Sequence, residues 1–218
     1  MNRRPRLLAT AALGAATALV LTGCGGGDGD SADNDKIAGA DTGGETSASP
    51  SASATDAAER PKIELPSDLT YTFDWPKTGD EDKDAVLSDS EQSIKAVDLA
   101  IANQDALDKA YLFYYEGEAA ASTQKFIEAY VEAKARATGT YRYYDAVVNV
   151  SDPDSASLVY CEDQGKAYDM YLETKKVDKT DVTKNSYVLY NTQLHKNDEG
   201  VWVIEKLLSQ RGSAKCQP

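Results

Sequence analysis

Gly139–Val150 reads GTYRYYDAVVNV, and this stretch decides the fold. Before it, apolar residues recur every three or four positions, which is typical of helices. From Gly139 onward they recur every second position, which is typical of strands. The change of period predicts a helical half followed by a sheet. In this first long strand, the face expected to pack on the core carries Tyr144, Ala146, Val148 and Val150.

Four more segments with a period of two follow, and short turns separate them. The apolar residues of these segments span Ala156–Tyr160 after a turn at 151–154, Tyr168–Leu172 after a turn at Gln164-Gly165, Val188–Leu194, and Val201–Ile204 after a turn at 197–200. Strands joined by turns this short form antiparallel neighbours. The segments therefore predict a curved antiparallel meander of four to five strands.

Three helices are predicted in the half before Gly139. The first spans about 86–102, because Ser88 and Glu91 have the spacing of a capping box and an apolar stripe follows them. The second spans 106–115. The third spans 118–138, with Gly139 as its C-cap and with Phe126, Ile127, Tyr130 and Val131 on its inner face. Since three helices can cover the apolar face of the sheet, the predicted class is α+β.

The N-terminal residues have the pattern of an export signal. Residues 1–23 combine a basic start with a short apolar run. The run ends in Leu21-Thr22-Gly23-Cys24, which resembles the lipobox of bacterial lipoproteins. The resemblance implies cleavage before Cys24, a diacylglycerol on its thiol, and attachment to the extracytoplasmic face of the cell membrane. Residues 24–64 are rich in Gly, Ser, Ala and Asp and are predicted to be a disordered tether, and residues 65–218 are predicted to be the folded domain.

The cysteines and the net charge predict a disulfide and argue against metal sites and nucleic-acid binding. If Cys24 carries lipid, Cys161 and Cys216 remain as a pair, and in an oxidising compartment a disulfide between them is expected. Cysteine spacings typical of metal sites are absent and the chain has one histidine, so we expect no metal and no other cofactor. The formal charge is −13, and no basic cluster occurs. We therefore expect no binding to nucleic acid.

The order of elements over residues 85–216 resembles the NTF2-like fold, a cone-shaped scaffold shared with ketosteroid isomerase and SnoaL-like proteins. Residues 160–164 (YCEDQ), residues 200–204 (GVWVI) and Cys216 resemble a group of actinobacterial secreted lipoproteins and carry no known chemistry. The resemblance implies a pocket between sheet and helices. Its candidate lining is Tyr144, Tyr160, Tyr168 and Tyr190, whose alternation places them on the helix side. The alternative is that these rings fill the core.

The expected function is ligand binding or interaction with a protein partner, without catalysis. An enzyme of isomerase or cyclase type on the same scaffold is one alternative, and it needs a buried carboxylate base. Asp145 and Asp169 are strand carboxylates, but their phase predicts that they face solvent. His195, at a strand end, is also predicted to be exposed.

A calcium-binding surface module is the second alternative. Asp80, Asp82, Asp84 and Glu91 occupy ligand positions of an EF-hand-like loop. Ala85 stands where that loop needs glycine. An acidic lead-in to a helix explains the same residues without a metal, because carboxylates are favourable near a helix N-terminus.

Overall fold

The computed structural model describes residues 59–218. The predicted signal peptide, the lipidation site Cys24 and most of the predicted tether lie outside the described residues. Within the described range, no helix has both the length and the apolar character needed to cross a membrane.

Besides a short 3₁₀ helix at Lys184–Ser186, the described chain has three α-helices and six strands. In order they are β1 (Leu69–Asp74), α1 (Glu81–Asn103), α2 (Lys109–Tyr114), α3 (Gly117–Ala133), β2 (Ala135–Asp152), β3 (Ser155–Tyr171), β4 (Val177–Asp178), β5 (Tyr187–Lys196) and β6 (Trp202–Arg211). The strand order is β1-β2-β3-β5-β6, with β4 paired to β3. All pairs are antiparallel except β1 and β2, which run parallel. The predicted α+β class is confirmed, and β1 enlarges the predicted sheet.

The core lies between the helices and one face of the sheet. Its largest fully buried side chains come from both layers: Tyr111, Tyr114, Ile101, Ile127, Leu158, Ile204 and Trp202. Full burial of one such apolar side chain stabilises the fold by roughly 1.5–3 kcal/mol. The helices are therefore held mainly by the apolar face that they share with the sheet.

The first helix begins earlier than predicted. Asp80 is its N-cap, and the Asp80 carboxylate accepts a hydrogen bond from the backbone N–H of Lys83 at 3.1 Å. Ser88, predicted to be the cap, lies inside the helix and is exposed. The capping-box prediction is wrong because Asp80 caps as well as serine does, and the acidic residues after it favour the helix N-terminus.

The second and third helices are shorter than predicted. Asp108 caps α2, so that helix begins at Lys109. Lys134 adopts the left-handed conformation (φ 48°) and ends α3, so residues 135–138 belong to β2. Gly139 is therefore no C-cap. It lies within β2, where an added Cβ would come within 2.2 Å of the carbonyl oxygen of Lys166. Phe126, predicted to face inward, is 52% exposed.

A β-bulge reverses the side-chain alternation inside Gly139–Val150. Tyr144 pairs with Cys161 and Val147 with Val159, so two residues of β2 lie opposite one residue of β3. The first of the two, Asp145, has a φ of 52°. Tyr141 and Tyr143 face the core before the bulge, and Ala146 faces it afterwards. The predicted position of Tyr144 on the core face is wrong, because the prediction assumed uninterrupted alternation.

The predicted turn at Gln164-Gly165 does not form, and the second and third predicted strands are one strand, β3. Gln164 and Gly165 instead form a second irregularity, because Thr140 pairs with Lys166 and Arg142 with Asp163. This shift places Asp169 toward the helices, where its carboxylate accepts a hydrogen bond from the Tyr130 hydroxyl of α3 at 2.8 Å. The prediction that Asp169 faces away from the helices is wrong for this reason.

Both ends of the described chain are fastened to the body. Arg60 forms a bidentate ion pair with the buried carboxylate of Asp89, at 2.8 and 3.0 Å. Asp89 also accepts a hydrogen bond from the backbone N–H of Trp202 at 3.0 Å. At the other end, the predicted disulfide between Cys161 and Cys216 is confirmed, with the two Cα atoms 5.5 Å apart. Within the described residues, contacts with the body thus already include Arg60.

Candidate functional site

The candidate site is a group of tyrosines on the face of the sheet that the helices cover. We call it the tyrosine cluster, and its members are Tyr71 of β1, Tyr141 and Tyr143 of β2, Tyr160 of β3 and Tyr190 of β5. The rings lie side by side because their strands are neighbours in the sheet. Ring centroids are 5.9 Å apart for Tyr71 and Tyr141, and 5.0 Å apart for Tyr160 and Tyr190. Phe73 and Trp75 extend the cluster.

A buried carboxylate, Glu162 of β3, lies within the tyrosine cluster. It accepts hydrogen bonds from the hydroxyls of Tyr143 at 2.9 Å and Tyr190 at 3.1 Å. The side-chain amide of Gln164 donates a third at 2.7 Å. Burial raises the pKa of Glu162 above its ordinary value, although these three hydrogen bonds favour the charged form.

A second carboxylate, Asp98, reaches the tyrosine cluster from α1. It accepts a hydrogen bond from the Tyr71 hydroxyl at 2.5 Å. Loss of hydration raises the pKa of Asp98 to about 7, with a further increase from the charge of Glu162 and an opposing effect from the Tyr71 hydrogen bond. Asp98 can therefore exchange a proton near neutral pH.

The phenols of the cluster remain neutral hydrogen-bond donors. Burial raises the pKa of Tyr141, Tyr143, Tyr160 and Tyr190 well above 10, and the charge of Glu162 raises each further. The pKa of Tyr71 is raised as well, by burial and then by Asp98. The cluster thus offers O–H groups and ring faces around two carboxylates.

Solvent reaches one side of the tyrosine cluster. Tyr143 and Tyr160 are buried, whereas Tyr71, Phe73 and Tyr141 are partly exposed. The rings contact one another, and two surface cavities of about 330 and 390 Å³ in the described chain lie outside the cluster. Any ligand would therefore meet the site at its outer rings, near β1 and Asp98.

The four predicted pocket tyrosines separate into two groups. Tyr160 and Tyr190 stack within the cluster. Tyr144 and Tyr168 are outside it: the guanidinium of Arg142 lies over the Tyr144 ring, and Lys179 lies over the Tyr168 ring. The Tyr144 hydroxyl donates to the carbonyl oxygen of Cys216. The two β-bulges explain this division, since each one exchanges the faces of the residues beyond it.

The calcium candidates do not form an EF-hand-like loop. Asp82, Asp84 and Glu91 lie within α1, and Asp80 caps that helix. Their carboxylates have separate partners: Asp84 accepts from Thr78, Asp82 pairs with Lys196 at 2.6 Å, and Glu91 pairs with Lys95. This part of the sequence is thus an acidic helix start, as its alternative interpretation proposed.

Sequence reasoning missed both carboxylates of the site. Glu162 continues the alternation of Leu158 and Tyr160, so its phase already placed it on the core face. Asp98 follows Ile94 by four residues and precedes Ile101 by three, which places it on the apolar stripe of α1. Acidic residues at core-facing positions were the available signal.

No protein-family model matches the sequence, and no curated protein matches it. Several solved structures resemble the fold. One is a ketosteroid isomerase-like protein from Erwinia carotovora atroseptica, with 12% identity, a TM-score of 0.41, and coverage of 62% of this chain and 98% of that chain. A second is an NTF-2 like protein of unknown function from Shewanella oneidensis, with 15% identity, a TM-score of 0.34, and coverage of 56% and 97%.

A third is a domain of unknown function with a cystatin-like fold from Nostoc punctiforme, with 16% identity, a TM-score of 0.38, and coverage of 62% of this chain and 79% of that chain. Likenesses this distant carry no statement about the activity of this chain.

Proposed function

We propose that this protein is a lipid-anchored extracytoplasmic protein whose folded body binds a small organic cation at the tyrosine cluster. The observation that carries this proposal is that Glu162 is buried and Asp98 is partly buried, and neither forms an ion pair with any described residue. Shielding a carboxylate in this way costs free energy unless a positive charge compensates it. A bound cation would supply that compensation.

The ring faces favour the same class of ligand. Aromatic faces attract cations, and several rings together form the recognition site for quaternary ammonium groups in other proteins. A cation already lies against an outer ring here, since Lys95 Nζ is 5.0 Å from the centroid of Phe73. The sequence resemblance to NTF2-like proteins supports this position, because it implies a ligand between sheet and helices.

The binding test compares three phenyl-ring compounds of different charge: benzyltrimethylammonium, benzyl alcohol and benzoate. Titrations of the full chain are followed by calorimetry and by tryptophan fluorescence, because Trp75 lies 5.6 Å from Tyr160. We expect the cation to bind and benzoate not to bind. Asp98→Asn and Glu162→Gln should each weaken cation binding about tenfold or more, which corresponds to ~1.4 kcal/mol.

Asp145→Asn is the matched control, since Asp145 is an exposed strand carboxylate outside the cluster. It should bind the cation as the unmodified chain does. Equal binding of all three compounds, or equal loss in the control, would overturn the proposed ligand class.

The lipid anchor has its own test. Cys24→Ala removes the thiol that the lipobox resemblance assigns to the diacylglycerol, so we expect the variant to be released into the medium instead of staying with the membrane fraction. The disulfide supports an oxidising compartment. Retention of Cys24→Ala in the membrane fraction would contradict the anchor while leaving the ligand proposal open.

Proton-transfer catalysis is a second candidate, favoured by the pKa of Asp98 near 7 beside a donor hydroxyl. A carboxylate with such a pKa suits a general base at neutral pH, and phenols can stabilise an enolate oxygen. The measurement is deuterium uptake from solvent by a panel of enolisable ketones. Exchange should rise with pH around 7 and be lost in Asp98→Asn. No exchange above the buffer rate would exclude this candidate for those ketones.

A further inference from the structure

We propose that Glu116, His195 and Glu205 bind a divalent transition-metal ion through one imidazole and two carboxylates. Glu116 directly precedes α3, His195 lies in β5 and Glu205 lies in β6. The pairing of β5 with β6 brings His195 and Glu205 together, and Glu116, which is distant in sequence, is added by the packing of the helices on the sheet. The site is separate from the tyrosine cluster and does not depend on the proposed function.

The ligand atoms have the spacing of a coordination shell. His195 Nδ1 lies 3.2 Å from Glu116 Oε1 and 3.5 Å from Glu205 Oε1. One ligand atom from each residue can be chosen so that all three lie within 4.8 Å of one another. In a tetrahedral site with metal–ligand bonds of about 2.0–2.1 Å, neighbouring ligand atoms are ~3.3–3.4 Å apart. An ion would therefore need only small side-chain adjustments.

Among the described residues, none forms a hydrogen bond with the imidazole nitrogen that faces the carboxylates. His195 Nδ1 is buried and lacks a partner within the described chain, although two carboxylate oxygens lie near it. Buried polar atoms normally have a hydrogen-bond partner, and one without needs an explanation. A metal ion would satisfy the Nδ1 lone pair and both carboxylates together.

The backbone fixes two of the three ligands. Gln193 pairs with Lys206 and Leu194 with Ile204, which makes Glu205 the extra residue of a β-bulge. Bulges redirect a side chain and are frequent beside functional sites. The N–H of Glu116 donates to the carbonyl oxygen of Ile204 at 3.0 Å, while its carboxylate makes no capping hydrogen bond and stays available.

The donor set indicates which ions fit. An imidazole ligand favours zinc, cobalt or nickel over calcium and magnesium, which prefer oxygen ligands. Three protein ligands leave coordination positions for water, and the side chains of Glu116 and Glu205 are 48% and 46% exposed. The site is thus of the open kind, with room for an exchangeable ligand.

The test is calorimetric titration of the full chain with zinc after treatment with a chelator, together with the visible spectrum of the cobalt-loaded chain. We expect zinc to bind with a stoichiometry of one at this site. His195→Gln, Glu116→Gln and Glu205→Gln should each lower the zinc affinity at least ~10-fold, since even indirect supporting residues contribute that much. Cobalt absorption should report nitrogen ligation that His195→Gln removes.

Glu118→Gln is the matched control, because Glu118 is an exposed carboxylate in the first turn of α3 outside the group of three. It should bind zinc with unchanged affinity. Circular dichroism of each variant identifies any that fails to fold, and the two glutamate variants test the site if His195→Gln misfolds. Absence of zinc binding, or zinc binding that none of the three substitutions weakens, would overturn the proposal.

Discussion

Two kinds of effect shift the pKa of Asp98 in opposite directions, and the direction of the net shift shows which is larger. The Tyr71 hydroxyl stabilises the carboxylate, whereas loss of hydration and the charge of Glu162 destabilise it. Since the pKa is raised to about 7, the destabilising effects prevail. Ionisation of Asp98 therefore opposes folding.

The raised pKa of Asp98 predicts that the effect of Asp98→Asn on the free energy of unfolding depends on pH. In the unfolded chain an aspartate loses its proton near pH ~3.9, whereas folded Asp98 keeps it up to about 7. Between these values the unfolded state binds fewer protons, so the contribution of Asp98 to the free energy of unfolding falls as pH rises. Asp98→Asn removes this loss. The variant should be more stable than the unmodified chain at pH 8, by roughly 1–4 kcal/mol, and nearly equal to it at pH 4.

Urea unfolding at the two pH values measures the difference. Asp181→Asn is the control, because Asp181 is exposed, and it should change the free energy of unfolding little at either pH. Destabilisation of Asp98→Asn at pH 8 would show that the Tyr71 hydrogen bond outweighs the cost of burial.

For single residues, the sequence predicted which face of a strand a side chain occupies better than it predicted the partners of that side chain. The alternation of β3 placed Tyr160 correctly, and the same alternation contains Glu162. The pairing of Glu162 with Tyr143 and Tyr190 could not be predicted, because it depends on strand register and on the bulge at Asp145. The place of His195 at a strand end predicts exposure to solvent, yet its Nδ1 is buried near two carboxylates.

Among the elements, the β-bulge of β2 determines which tyrosines reach the site. Without it Tyr144 and Ala146 would share a face, and Tyr143 would then lie opposite that face. With it, Tyr143 and Ala146 both pack on the core. The signal in the sequence is slight, since aspartate is only one of several residues that tolerate a positive φ. The predicted turn at Gln164-Gly165 failed for a related reason, because glycine in a strand can mark a bulge as well as a turn.

Asp145 offers a direct test of this bulge. At a φ of 52° any Cβ lies close to the following carbonyl oxygen, which costs about 1–2 kcal/mol; the short polar side chain of aspartate offsets part of this cost, whereas a β-branched side chain does not. Asp145→Val should therefore lower the free energy of unfolding by roughly that amount, while Asp145→Gly should not lower it. Asn149→Val, at an exposed position of β2 without a positive φ, is the matched control.

Equal effects of valine at positions 145 and 149 would contradict the left-handed conformation of Asp145. A further readout is the fluorescence of Trp75, whose ring lies 6.5 Å from that of Tyr143. It should change in Asp145→Val, because removal of the bulge would turn Tyr143 away from the core.

For the whole molecule, the sequence predicted three helices followed by a largely antiparallel sheet and the α+β class, since both follow from hydrophobic periodicity, but not the number of strands. The parallel pairing of β1 with β2 was not predictable from local pattern, because Leu69 lies 70 residues from its partner Gly139. The position of the C-terminal tail was predictable, since the number of cysteines selected the pair that fastens it. The order of the layers thus followed from periodicity and the place of the tail from covalent chemistry, whereas the strand connections and the site required the register of the completed sheet.

The disulfide should supply much of the stability that a body of this size needs. It joins β3 to the tail across a sequence separation of 55, and closing such a loop in the unfolded chain is worth about 4 kcal/mol by chain entropy. The double variant Cys161→Ala/Cys216→Ala should therefore have a free energy of unfolding, measured by urea titration, that is lower by roughly 2–4 kcal/mol.

The control is the addition of reductant. The unmodified chain should then lose a similar amount of stability, and the double variant should not respond. The two results together attribute the effect to this bond, because the third cysteine, Cys24, is common to both proteins. A reduced chain that unfolds at the same urea concentration as the oxidised one would mean that the tail is held by its other contacts, including the hydrogen bond from Tyr144 to Cys216.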